Sequence, residues 1–325
     1  MKQNMKLKFS VLIAVTVMVA STSVFAKHAK HTKHAKHARH IDPIVSTDWL
    51  AANQADVVVL DVRSADAYAA GHIPGAISAP WVVPFSAWIT MSPEGLLLEM
   101  PTDADLVAAI GDLGIARHTK VVVVGAPNAG EPVYYGPAGA VRVALTLSYA
   151  GVKHVAVLDG GQPKWVVEGR AITTEASEAT PVVFKSKIDH DMIATIDEVA
   201  ELIAVEGVTL MDARDAEVYA GDVIEPFAPA PGHIPTAYSL PTPAAFDVDG
   251  DVVTFKDVDI LEEMAFDIIL NSPAGDDVEI VYCGVGGYGA VWTYLLRQVL
   301  GEKKVKLFDG SAQEWVALGY EMSLE

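Results

Sequence analysis

This chain of 325 residues contains one cysteine, Cys283. A single thiol forms no internal disulfide, so no covalent staple holds the fold. No run of apolar residues reaches membrane length. The longest, Phe9 to Ala20, is shorter than a transmembrane helix requires. Residues 1–40 contain no Asp or Glu, and the rest of the chain is poor in cations. Eight of the 23 Lys and Arg lie in residues 1–40, so the body sets 15 against 42 Asp and Glu, a formal charge of −27. A surface of that sign repels nucleic acid and anionic membranes. The length suggests two domains. Half the residues are apolar (51%), which argues against global disorder.

The N-terminus reads as an export signal over residues 1–26. Lys2, Lys6 and Lys8 precede the apolar run, and Val24-Phe25-Ala26 offers small residues for cleavage near Ala26. The processed chain is expected in the periplasm or outside the cell, not integral to a membrane; retention of the segment as an anchor is the alternative. Residues 27–43 follow as a disordered tail. His28, His31, His34, His37 and His40 recur every third residue among five cations. Such spacing suits weak transition-metal binding or a solubilising spacer, not a defined coordination cage.

The body repeats one pattern twice. In the first copy Val57-Val58-Val59-Leu60-Asp61 leads to Arg63, Tyr68 and Gly71-His72-Ile73-Pro74-Gly75-Ala76. In the second, Val208-Thr209-Leu210-Met211-Asp212 leads to Arg214, Tyr219 and Gly232-His233-Ile234-Pro235-Thr236-Ala237, with ten extra residues after the tyrosine. Val155 to Trp165, ending Asp-Gly-Gly-x-x-x-Trp, matches Val305 to Trp315, with Asp309 in the second copy. The copies span residues 44–170 and 192–325, with 171–191 as linker. Short β-branched strands alternating with helical stretches predict an α/β fold: two tandem domains, each a mainly parallel sheet with helices on both faces.

Cys283 follows the strand-like run Val278 to Tyr282 and precedes Gly284, Val285, Gly286, Gly287, Tyr288 and Gly289. The first copy has Gly125 in its place. A thiol at a strand's carboxyl end, on a glycine-rich loop opening a helix, faces backbone N–H groups and the positive end of a helix dipole. That placement favours a thiolate by roughly 0.3–2 kcal/mol and predicts a lowered pKa. A lowered, accessible thiol is a nucleophile, whereas most lone cysteines are inert core residues.

Together these signatures resemble the rhodanese family of sulfurtransferases in its two-domain form. The resemblance implies a catalytic C-terminal domain and an inactive N-terminal one. It further implies a persulfide on Cys283, held by the N–H groups of Gly284 to Gly289, with no separate cofactor. The partners would be a small sulfur donor and a thiol or cyanide-like acceptor, with delivery to a partner protein as the other route. Arg214, Asp212, His233 and Asp309 are candidates for substrate or supporting contacts, though fold-holding roles suit them better. The loop departs from the thiosulfate-using pattern, which has basic residues after the cysteine, and Val218 and Phe227 stand where mercaptopyruvate-using relatives carry two arginines. The expected function is therefore an exported sulfurtransferase of unassigned donor. The alternative is a carrier that holds sulfur or selenium on Cys283 without turnover. Cysteine phosphatases of related fold need an arginine six residues after the nucleophile. Gly289 stands there, which excludes that chemistry.

Overall fold

The computed structural model describes residues 41–81, 86–205, 207–272 and 278–324. The expected leader and the five tail histidines lie outside them.

Two five-stranded sheets carry the two sequence copies, each built wholly from parallel pairings. The first contains β1 (Ile44–Val45), β2 (Val58–Asp61), β3 (Ile77–Ser78), β4 (Lys120–Val124) and β5 (His154–Leu158) in the order β1-β5-β4-β2-β3. The second contains β6 (Ile193–Ala194), β7 (Thr209–Asp212), β8 (Tyr238–Ser239), β11 (Glu279–Tyr282) and β12 (Val305–Phe308) in the order β6-β12-β11-β7-β8. The register keeps the repeat: Asp61 pairs with Val124 as Asp212 pairs with Tyr282. Central strands are buried along their length, as continuous apolar runs in parallel sheets require. Helix starts are set by side-chain caps: Ser46, Ser64, Thr102 and Thr195 each accept the N–H three residues on. No described helix is long and apolar enough to cross a membrane.

The repeated signature residues hold the fold. Arg63 donates to both Asp61 oxygens and to the Gly71 carbonyl (2.9 Å); Arg214 does the same to Asp212 and Gly232 (2.7 Å). His72 stacks on Tyr68 at 3.6 Å and His233 on Tyr219 at 3.9 Å. Both tyrosine hydroxyls donate to the alanine carbonyl that ends the His-Ile-Pro turn, Ala76 and Ala237.

The two sheets share one large apolar core. Helix α1 (Tyr135–Tyr149) of the first domain packs on helix α2 (Gly287–Tyr294) of the second. Both are buried nearly all round, and Gly136, Ala138, Gly139 and Ala140 keep α1 thin where it is crowded. The helix opened by the glycine-rich loop starts within it, at Gly287, and ends as one π-helical turn, Leu295–Leu300. Tyr294 crosses the interface to donate to the carbonyls of Pro43 (2.9 Å) and Val155 (3.2 Å).

A hairpin of β9 (Phe246–Asp249) and β10 (Val252–Phe255) leaves the second domain and lies against the first. Phe246, Val253 and Phe255 cover Gly125, leaving a void of about 20 Å3. The Phe255 N–H donates to Asp159 at 2.9 Å. A side chain at Gly125 would sit 2.8 Å from the Ala140 Cβ. The position equivalent to Cys283 is thus both occupied and too tight for a thiol.

Candidate active site

Cys283 stands directly after β11, the central strand of the second sheet, beside β7 and β12. This is where the strand order reverses and where open α/β sheets bind ligands. The loop proper is short, Gly284 to Gly286. Gly286 takes φ +83° and caps α2, a left-handed turn that favours glycine. Gly289 lies inside α2 for another reason: a Cβ there would meet Leu307 at 3.0 Å and the Tyr282 backbone at 3.2 Å. Tyr288 and Gly287 also belong to the helix.

The turn brings N–H groups onto sulfur. The Gly286 N–H donates to Sγ at 3.1 Å, and those of Val285 and Gly289 also bond the sulfur. Ser311, itself at φ +55°, accepts the Cys283 N–H at 3.2 Å and donates to Phe308. Yet Cys283 is only 3% exposed. Burial pushes the thiol up from its ordinary value, and the Glu225 carboxylate pushes further; the loop N–H groups oppose them without prevailing. The expected lowering is therefore corrected. The dipole argument omitted desolvation, which here is the larger effect.

A cavity of about 390 Å3 opens over the sulfur, between the domains. The second domain supplies Arg214, Asp215, Glu225, Phe227 and the loop with Tyr288; the first supplies Trp81, Leu97, Leu98, Tyr135 and Glu131 among others. Tyr135 meets Tyr288 edge-on at 5.5 Å. Trp81 lies so close over Gly139 that no Cβ would fit there.

The sequence candidates separate into two sets. Arg214 reaches the wall, but its charge is matched by Asp212 at 2.5 Å in a buried pair. Asp212 also accepts the Tyr282 hydroxyl at 2.7 Å. His233 bonds the Tyr219 carbonyl at 3.0 Å and does not line the cavity. Asp309 lies under the loop rather than over it. Phe227 faces the cavity, but Val218 is buried and absent from its walls, which corrects their pairing as two positions of one clamp.

Two residues escaped the sequence reading. Glu225 comes from the ten-residue insertion after Tyr219. Its Oε2 and the Phe227 ring lie over Gly284, 2.5 and 2.7 Å from where a Cβ would be. Arginine at position 284 therefore has no room without moving that segment. The second is Arg142 of α1, fully buried. It pairs with Asp309 at 2.5 Å, donates to the Gly286 carbonyl at 3.0 Å and to the Leu98 carbonyl at 2.9 Å. Asp309 in turn accepts the Met100 N–H at 2.7 Å, and Gln313 exchanges two bonds with the Leu97 backbone. The first domain thus fastens the second domain's loop from below.

Among the described residues no His, Cys, Asp or Glu group is arranged to hold a metal ion. The arrangement presents a buried thiol, N–H donors for an anionic sulfur, and an aromatic, carboxylate-bearing chamber above it.

Comparison with known proteins identifies the domains. The model of the rhodanese-like domain matches residues 46–168 and again 195–318. A sulfur carrier protein, TtuD, of Thermus thermophilus is 31% identical over 288 residues, 84% of this chain and 93% of that protein. A protein of Mycolicibacterium smegmatis provisionally named a thiosulfate sulfurtransferase is 28% identical over 293 residues, 85% of this chain and 95% of its own. Among solved structures, EanB with ergothioneine covalently linked to a persulfide cysteine superimposes with a TM-score of 0.70 at 25% identity, covering 87% of this chain and 70% of that one. With both halves matched by one domain model and relatives aligned across both, the chain belongs to the rhodanese family, as a tandem of two rhodanese-like domains.

Proposed function

We propose that this chain is an exported sulfurtransferase that carries sulfane sulfur on Cys283. The observation that carries the proposal is the Cys283 sulfur at the floor of the interdomain cavity, with N–H groups of Val285, Gly286 and Gly289 directed at it. A thiolate formed there attacks the outer sulfur of a donor. The new S–S bond forms as the donor's own bond to that sulfur breaks, and the electron pair leaves with the donor. The terminal sulfur of the persulfide is anionic, and the loop N–H groups stabilise it. A thiolate or cyanide then attacks that sulfur, and Cys283 departs as thiolate. The cycle is covalent double displacement and calls for no cofactor.

A carrier role without turnover is the second reading. It is favoured by the lack, among the described residues, of an uncommitted cation on the cavity walls and by the sulfur-carrier relative. One experiment addresses both. Intact-protein mass spectrometry after exposure to a sulfane donor is expected to show one added sulfur, removed by cyanide and absent from Cys283→Ser. Repeated turnover supports the enzyme; stoichiometric loading with poor cycling supports the carrier. An adduct that persists in Cys283→Ser rejects both.

A further inference from the structure

Among the described residues, the cavity over Cys283 is lined by three carboxylates, Glu131, Asp215 and Glu225, and one cation, Arg214. Arg214 is not free to meet a ligand anion. It is 1% exposed, bidentate to Asp212 and bonded to the Gly232 carbonyl. Of the three carboxylates, Glu225 is the one that acts on the sulfur. Its Oε2 lies over Gly284, the residue after the thiol. Among the described residues that oxygen is buried with no hydrogen-bond partner, and the nearest cation, the Arg214 Nη1, is 3.8 Å away and already matched. The insertion between Tyr219 and Gly232 exists only in the second copy, so this carboxylate was added where the thiol is.

We infer that Glu225 determines the charge class of the sulfur donor: the site selects a sulfane sulfur carried by an uncharged or cationic group and rejects one carried by an anion. The inference rests on Cys283 being the sulfur-bearing residue. A donor places its carrier group beyond the sulfur, in the chamber walled by Glu225, Asp215, Tyr135 and Trp81. Aromatic faces and carboxylates there favour a neutral or ammonium-bearing carrier. A carboxylate or sulfonate-like carrier meets a like charge in a poorly screened space. At about 6 Å and an effective dielectric near 20, one such charge changes apparent affinity by roughly ten- to a hundredfold.

Protonation of Glu225 relieves the rejection. Burial, chiefly, with Asp212 and Asp215 nearby, raises its carboxyl to about 7, against the opposing pull of Arg214. Cys283 and Tyr135 are the other titratable groups facing it.

Three thiol persulfides of equal length test this: those of cysteamine, 2-mercaptoethanol and 3-mercaptopropionate. Their carriers are cationic, neutral and anionic. Loading of Cys283 is followed by mass spectrometry as a second-order rate. At pH 8 the native protein is expected to prefer the cationic and neutral donors over the anionic one by roughly tenfold or more. In Glu225→Gln that ranking is expected to flatten. In native protein near pH 6 the same flattening is expected, which needs no variant. Equal loading of all three donors by native protein at pH 8 overturns the inference, as does an unchanged ranking in Glu225→Gln. Failure of every donor to load native protein instead overturns the persulfide reading beneath it.

Discussion

Asp309→Asn is the sharpest test of the interdomain fastening. Asparagine keeps an oxygen for the Met100 N–H but removes the charge facing Arg142. The guanidinium is fully buried and would keep only the Gly286 and Leu98 carbonyls, both uncharged acceptors. Stranding a buried charge costs about 3–5 kcal/mol. Arg142→Met strands the Asp309 carboxylate instead and takes the donor from both carbonyls. Combining the two changes removes both charges, so its cost is expected to fall short of the sum by at least about 2 kcal/mol. Urea unfolding of the four proteins measures that coupling, provided two probes give coincident transitions. Sulfur loading is expected to slow in Arg142→Met, although that residue lies in the other domain and touches no substrate, because Gly286 both caps α2 and donates to sulfur. A cost below about 1 kcal/mol for Asp309→Asn, or costs that simply add, would refute the reasoning.

Two further outcomes are expected. Burial and the neighbouring Asp309 push the Glu99 carboxyl up to about 8. The folded state therefore holds that proton more tightly than the unfolded chain, and stability is full below about 4.5 and declines as pH rises towards about 8. Glu99→Gln is expected to flatten this slope; identical slopes from pH 5 to 8 in both proteins would contradict it. Thr236, exposed at φ +70°, stands where the first copy has Gly75 at φ +79°. Thr236→Gly is expected to raise stability by about 0.5–1 kcal/mol, read as a higher urea midpoint. A lower midpoint would mean that the threonine side chain contributes more than its backbone costs.

Much of this was legible in the sequence because it is local. The β-branched strands, the Asp-x-Arg and Gly-His-Ile-Pro turns and the repeat are contiguous, and each reports its own geometry. The thiol's position could be read from the run before it and the glycines after it. What escaped were long-range contacts. Arg142 meets Gly286 across 144 residues, and Leu97 meets Gln313 across 216. Neither pairing leaves a periodic mark. Glu225 sits in an insertion with no counterpart to compare. The direction of the thiol's shift was misjudged because a dipole is visible in sequence, whereas the burial that opposes it depends on what the other domain lays on top. Val218, matched through the resemblance to an arginine of mercaptopyruvate-using relatives, is buried and does not line the cavity, an orientation that spacing alone does not reveal.

The hairpin over Gly125 has a consequence for how such a doubled chain can be taken apart. The second domain's Phe246, Val253 and Phe255 serve as a stopper for the first domain's vacant seat, while the first domain's Leu97 and Leu98 form part of the roof over the thiol. Each half wears a piece of the other. Separating the two domains would unroof the chamber that gives the thiol its surroundings and, at the same stroke, bare apolar and aromatic side chains of the hairpin that now lie against the first domain. The copy without a cysteine is therefore not ballast left from duplication; it is part of the housing around the other copy's single thiol.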